Sequence, residues 1–342
     1  MKTFRKHPSS GGATRAENGG PSLVVLRGTA GRPVAEAVRE CMEVCRWRDF
    51  VGKNSTVVIK PNLCTAIPDK VEMSNTSAAI TAAVCEVLQE RTGRISIGES
   101  DGLHDSADRA FEAAGYFELA RQHGVPLVNL SRMPRVRTAC PPAGEIELPR
   151  LLLETDVFIT LPVLKTHALT YFTGSLKNQW GCLPQHDRIL FHRWLDPMLV
   201  SLHRVLRPAL SLMDAVVGME GRGPTNGKPR RLDLLLASRD GVALDAAAMR
   251  LVGLDPQKAR HIQMAAKDGL GNVDARQIAI DGEWERYSTR FEPAILDQAI
   301  RAMNFMSRYR WFVKYALEQD RVFYPVRSFV QLLRRLGVVE GG

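Results

Sequence analysis

The stretch 156–161, DVFITL, decides the fold: Val157-Phe158-Ile159 is an unbroken apolar run, and Pro162 follows it. A strand with one wet face alternates apolar and polar residues. An unbroken short run is how a strand covered on both faces reads, as in a parallel sheet packed between helices. Val57-Val58-Ile59 reads the same way. Working outward, strands are predicted over Leu23–Leu26, Thr56–Ile59, Arg94–Ile97, Pro126–Asn129, Asp156–Leu161, Ala209–Met213 and Leu232–Ala237. Helical periods lie between and after them, over Val34–Arg46, Thr76–Glu90, Ala107–Ala114, Phe117–His123, Leu195–Val205, Ala243–Val252 and Pro256–Lys267. Strand and helix in alternation predict an α/β fold with an open, mainly parallel sheet and helices on both faces.

Beyond Leu161 the hydrophobic period stops. Residues 161–192 instead carry Lys165, His167, Lys177, Asn178, His186, Arg188 and His192, punctuated by Pro162, Gly174, Gly181 and Pro184. A connection this long and polar is costly to order without a purpose, so it reads as the wall of a site. Open α/β sheets bind ligands beyond the carboxyl ends of their strands. Polar residues gather at four such ends: Lys60 and Asn62; Glu99, Ser100 and Asp101, with His104 beyond; Lys165 and His167; and Asp214, followed by Glu220 and Gly223.

The residue types bound the chemistry. Lys60, Asn62, Lys177, Asn178, Arg188 and Gly223 suit a carboxylate or phosphate group. Lys165, His167, His192 and Asp214 are the candidate catalytic groups, as proton donors and acceptors. Glu99, Asp101 and Asp214 are candidate ligands for a divalent metal, which the sequence leaves open without naming a cofactor. Each residue has a plainer reading as well: Lys60 as a solvated strand end, Glu99 and Asp101 as helix caps, Asp240 and Asp245 as caps of the helix they flank. His123 and His203, on helix faces, are expected to be structural.

The 342 residues suffice for one large domain or two, with 45% hydrophobic and 24% charged residues and a net charge of +9. The charge favours small anionic partners. The basic residues are scattered without a groove-reading motif, so nucleic-acid binding is not expected. Six dispersed cysteines form no C-x-x-C pair, which predicts neither a zinc ribbon nor a built-in iron–sulfur cluster. Cys64 and Cys182 lie beside the polar segments as thiols to consider, although buried small residues are expected there. Residues 1–21 read as a disordered leader without a secretory core segment, and no run is long and apolar enough for a transmembrane helix, so a cytoplasmic location is expected. Residues 286–342 read as a helical extension, with helical character over 293–318 and 326–336. It is rich in Arg and carries Trp311, Phe312, Tyr315, Phe323, Tyr324 and Phe329. The extension would pack on the sheet, join a second copy or another protein partner, or lie on a membrane surface.

No Walker-type phosphate loop, dinucleotide glycine fingerprint or nucleophile elbow is present. The segments VVIKPNL (57–63), IGESDG (97–102), GYFELA (115–120), ITLPVLKTH (159–167), SLKNQWG (175–181), LMDAVVGMEGRGPTNG (212–227) and LASRDGVALDAAAMRLVG (236–253), with His192, carry a resemblance. Over roughly residues 22–285 the chain resembles the family catalogued as domain of unknown function 362. Many members of that family carry an appended ferredoxin module, which implies a redox setting for some. The cysteine-rich run of such a module is missing here, so a cluster would have to come from a separate ferredoxin. A more distant similarity to nickel-dependent lactate racemases is one of frame, with lysines and histidines gathered on an α/β sheet. Two functional expectations follow. One is an enzyme acting on a small carboxylate or phosphate, metal-assisted or redox-linked. The other is a metabolite- or cofactor-binding accessory protein whose basic aromatic tail docks a partner or membrane.

Overall fold

The computed structural model describes residues 20–102, 105–185, 188–296 and 298–317. Twelve strands are present among them: β1 (Ser22–Gly28), β2 (Val57–Pro61), β3 (Ile95–Glu99), β4 (Leu127–Asn129), β5 (Arg135–Ala139), β6 (Glu145–Pro149), β7 (Val157–Leu161), β8 (Val163–His167), β9 (Tyr171–Thr173), β10 (Leu210–Glu220), β11 (Lys228–Ser238) and β12 (Ile278–Asp281). The main sheet runs β12-β1-β11-β10-β7-β2-β3-β4, with β8 and β9 attached beside β10, while β5 and β6 form a separate antiparallel pair. From β4 to β10 the neighbours are parallel; β11 runs antiparallel to both β10 and β1. The expected mainly parallel α/β architecture is therefore what the chain adopts.

Strand period 2 explains the layering. Ile59, Ile159 and Leu235 point into one core with Cys41 and Val84 of the helices Val34–Val44 and Ala78–Gln89. Their neighbours point the other way: Val58 and Phe158 meet Leu199 and Leu202 of the helix Leu195–Leu206, and Leu234 and Leu236 meet Val242 and Met249 of the helix Gly241–Leu251. Both faces of the sheet are thus covered, which is why the central strands read as unbroken apolar runs.

Three differences from the sequence-based expectation matter for the site. First, the segment after Leu161 is not an irregular connection: β8 and β9 form a hairpin with Lys165 paired to Thr173 and His167 to Tyr171. Pro162 has no N–H to give to a ladder and so interrupts the strand between β7 and β8. Its carbonyl still accepts from Asp214 N at 2.8 Å. Second, β10 continues past Met213 to Glu220, exchanging β7 for β8 as neighbour, so Asp214 lies within a strand and not at its end. Third, the helix expected over Pro256–Lys267 divides into a short turn, Pro256–Lys258, and a helix, Arg260–Lys267.

After β12 the chain returns along the helix Gly241–Leu251. Thr289 N and Phe291 N donate to Leu251 O and Val252 O, both at 2.9 Å, and Phe291 is buried. Short helical segments follow at Gln298–Met306, Arg310–Phe312 and Val313–Leu317. The leader 1–19, the tail 318–342, His104 and His186 lie outside the described residues. Among the described residues no helix is long and apolar enough to cross a membrane.

Candidate functional site

The chain runs from β2 to β3 and β4 on one side, then returns to β7 and β10 on the other. The carboxyl end of β2 therefore sits at the point where strand order reverses. A cleft of about 450 Å³ opens there, lined in part by Lys60, Glu99, His167, Lys177, Arg188 and His192.

Its floor is an ion pair. Lys60 Nζ donates to Glu99 Oε2 at 2.7 Å and to Pro61 O at 2.6 Å, and both side chains are buried. The carboxylate also accepts from Leu63 N at 3.0 Å and Ser100 N at 2.9 Å. The pair leaves neither charge free. Gly181 lies directly against it: a Cβ there would stand 2.8 Å from Lys60 Nζ and 2.9 Å from Glu99 Oε1. Gly181→Ala is therefore expected to cost about 1–3 kcal/mol of stability by displacing a pinned side chain, measured by urea unfolding.

The wall is built on the short helix Ser175–Asn178. Asp245, fully buried on a neighbouring helix, accepts from Ser175 N at 2.6 Å and from Leu176 N at 3.1 Å. Burial pushes its carboxyl up to about 7 against the opposing pull of those amides. Asn178 Nδ2 then ties the helix to Lys60 O at 3.1 Å and to Thr160 Oγ1 at 2.8 Å. This leaves Lys177 facing the cleft, with its Nζ 5.7 Å from the centre of the Trp180 ring. Burial first, and then the positive charges of Arg188 and Lys165, pull the Lys177 amine down to about 7. Arg188 donates to Leu183 O at 2.9 Å, and burial holds its guanidinium below the ordinary value. Among the described residues no carboxylate lies at ion-pair distance from Lys165, Lys177 or Arg188.

Two imidazoles complete the wall. His167, at the end of β8, accepts at Nδ1 from Leu169 N (3.1 Å) and Thr170 N (3.3 Å). Two amide donors on Nδ1 fix the tautomer of the neutral ring, with the proton on Nε2. Burial and the charge of Lys177 hold its pKa well below the ordinary histidine value. His192 stacks obliquely on Trp180, the ring centres 5.4 Å apart, and burial with Lys177 and Arg188 nearby pulls it down to about 3. At neutral pH both rings are uncharged.

The remaining expected site residues are engaged with other partners or lie off the lining. Asn62 lines the cleft but is engaged with Ser74 O at 2.6 Å. Lys165 lies beneath the lining, donating to Ser74 O at 2.8 Å and to Cys64 Sγ at 3.2 Å. Asp101 is turned away, accepting from Ala107 N and Asn129 Nδ2. Asp214 is buried behind the cleft, accepting from Ser77 N at 2.9 Å and Val216 N at 3.1 Å, with burial raising it to about 6. Glu99, Asp101 and Asp214 are thus engaged with different partners, and among the described residues no three His, Cys, Asp or Glu side chains gather as a metal-ligand set. Gly223 packs against β8, where a Cβ would meet Thr166 O at 1.9 Å, and it is Pro224 and Thr225 that reach the cleft. His203 is buried and bonded to Gln179 at 2.8 Å, and Asp240 caps its helix through Val242 N and Ala243 N.

Sequence reasoning did not propose a role for several lining residues, and four matter here: Ser100, noted only as a polar residue at a strand end, Asp105, Arg109 and Trp180. Ser100 lines the cleft, and its hydroxyl is buried with no hydrogen-bond partner among the described residues. Asp105 and Arg109 face each other at 3.5 Å on the rim. Trp180 stood inside the SLKNQWG segment and was the most readable of the four. Cys64 reverses an expectation: it is exposed at the cleft, whereas Cys41, Cys45, Cys85, Cys140 and Cys182 are buried. Burial pushes the Cys45, Cys85 and Cys182 thiols up to about 12. Brief iodoacetamide treatment of the native protein should accordingly modify Cys64 alone, read by peptide mass spectrometry. Comparable labelling at a second cysteine would contradict the placement.

A family model described as Domain of unknown function (DUF362) matches residues 57–250. That span contains every cleft-lining residue. A thylakoid-associated protein of Synechocystis sp. is 34% identical over 230 residues, covering 65% of this chain and 70% of that protein. Among solved structures, the lactate racemase apoprotein of Thermoanaerobacterium thermosaccharolyticum gives a TM-score of 0.46 at 12% identity, over 69% of this chain and 57% of that one. A protein from Thermotoga maritima gives 0.37 at 13% identity, over 68% and 59%. The chain therefore spans less than three fifths of either of these structures.

Proposed function

The chain belongs to the DUF362 family, and we propose that its cleft binds a small carboxylate- or phosphate-bearing molecule and acts on it by acid–base chemistry. The observation that carries this reading is the pair of cations, Lys177 and Arg188, held in the cleft beside two neutral imidazoles, with no carboxylate at ion-pair distance from either among the described residues. Desolvating like charges together is unfavourable in the empty protein, and an arriving anion relieves that repulsion. Arg188 supplies the charge that never titrates, with a planar fork that matches an oxyanion. His167 presents a fixed Nε2–H to a further oxygen of the ligand. With its amine pulled to about 7, Lys177 is present in both forms at neutral pH, the condition for giving and taking a proton.

The titration of Lys177 gives the test. Its ammonium is present below its pKa of about 7 and lost above it, so anion affinity should fall as pH rises through that value. Sulfate keeps its full charge across this window and serves as the probe, with binding measured by calorimetry on the wild-type protein and on Lys177→Arg. The variant keeps its charge, so its affinity should hold where that of the wild type declines. Absence of saturable sulfate binding at any pH would overturn the proposal. So would an identical pH profile in the variant.

A further inference from the structure

We propose that the segment 295–315 is a docking surface for an anionic lipid bilayer. Ten large hydrophobic side chains are exposed among the described residues, and six of them fall in this segment: Ile295, Met303, Phe305, Tyr309, Trp311 and Tyr315. Tyr315 is 62% exposed and Trp311 56%. Such a concentration differs from the scattered single exposures normal for a protein surface.

The segment is two-sided. Ser307 and Val313 are buried, and the Asn304 side chain lies beside His192 at the edge of the cleft. These contacts seat one side on the protein body. On the other side the rings form a continuous row, with centres 5.9 Å apart for Phe305–Tyr309, 6.5 Å for Tyr309–Trp311 and 5.9 Å for Trp311–Phe312.

The charge on this side selects the occupant. Residues 295–315 contain four cationic residues, Arg301, Arg308, Arg310 and Lys314, against one acidic residue, Asp297. Arg308 lies 5.4 Å from the Phe305 ring centre, and Lys314 the same distance from that of Tyr315. Cation and ring are thus presented together. Tyr and Trp belong at the headgroup level, where the ring body is buried and the polar tip stays wet, and adjacent Arg and Lys meet lipid phosphates. The helical segments are too short to span a bilayer, which makes the contact peripheral.

Co-sedimentation of the full chain with vesicles tests this, using phosphatidylcholine alone and phosphatidylcholine enriched in phosphatidylglycerol. The chain is expected to bind the anionic vesicles preferentially and to be released by salt. Phe305→Ser, Trp311→Ser and Tyr315→Ser together should weaken binding by more than tenfold with the unfolding midpoint unchanged. Arg301→Gln and Arg308→Gln should each weaken it by about fivefold. No binding of the full chain to anionic vesicles would overturn the proposal. Binding that ignores the aromatic variants would do so too, as would light scattering that shows the same residues holding two copies together. None of these readouts depends on the cleft, so failure here leaves the anion-binding proposal standing.

Discussion

Replacing Glu99 by alanine is expected to cost about 3–5 kcal/mol of folding stability, the largest loss among the site residues. The cause is less the lost attraction than what is left behind. Lys60 is 1% exposed, and without Glu99 its ammonium would keep only the Pro61 carbonyl. Leu63 N and Ser100 N would also lose their acceptor. A buried charge without a counter-charge and two orphaned amides each carry a desolvation penalty. The double variant Lys60→Met, Glu99→Gln separates these contributions. It removes both charges, keeps a carbonyl oxygen for one amide, and should recover most of the stability. Urea unfolding of the three proteins decides the matter. If the double variant were as unstable as Glu99→Ala, the stability would come from the geometry of the pair and not from charge balance.

The second large effect has the opposite character. Lys177→Met with Arg188→Met is expected to lower sulfate affinity by about 100-fold or more, since a hydrogen bond to a charged group contributes about 1.5–3 kcal/mol. The same substitutions should leave the unfolding midpoint unchanged or higher. In the empty protein burial holds both cations below their ordinary pKa values, and the charge of Arg188 lowers Lys177 further. Removing them relieves a cost. A loss of binding coupled to a gain in stability marks residues retained for ligand and not for fold. Calorimetry and unfolding on one preparation give both numbers. Retained sulfate binding in the double variant would show that the anion is held by other groups.

The parts of this chain that were legible in sequence share a physical trait. Strands β2 and β7 bury both faces, so their runs are apolar whatever surrounds them, and the predicted and observed ends differ by no more than two residues. Strand β8 reads VLKTH and escaped notice because Lys165 and His167 are as buried as Val163 and Leu164. Their polarity is matched by partners from distant segments, Ser74 and Cys64 for Lys165, and no local pattern reveals such partners. Strand β5, paired with β6, is shallow, alternating between exposed and half-buried residues, and its composition does not set it apart from a loop. At the site, residues that project from strand ends, such as Lys60 and Glu99, were found from position alone. Asp214 was not placed correctly in the strand, because the sequence gives no sign that β10 continues beyond Met213. What Asp214 caps is an amide of Ser77, a contact between residues far apart in the chain. Arg109 was passed over because an arginine in the first turn of a helix has an ordinary role there.

Trp180 gives the cleft an optical reporter. The chain has five tryptophans, and this one alone is part of the cleft lining, with an ammonium and an imidazole close to its ring. Indole emission responds to charge moved or neutralised at such distances, whereas Trp47, sealed in the opposite core, supplies a constant background. Occupancy of the cleft can therefore be followed by intrinsic fluorescence, without a label and before any reaction is known. A collection of small acids and phosphates can be screened on the native protein, with a Trp180→Phe variant as the blank.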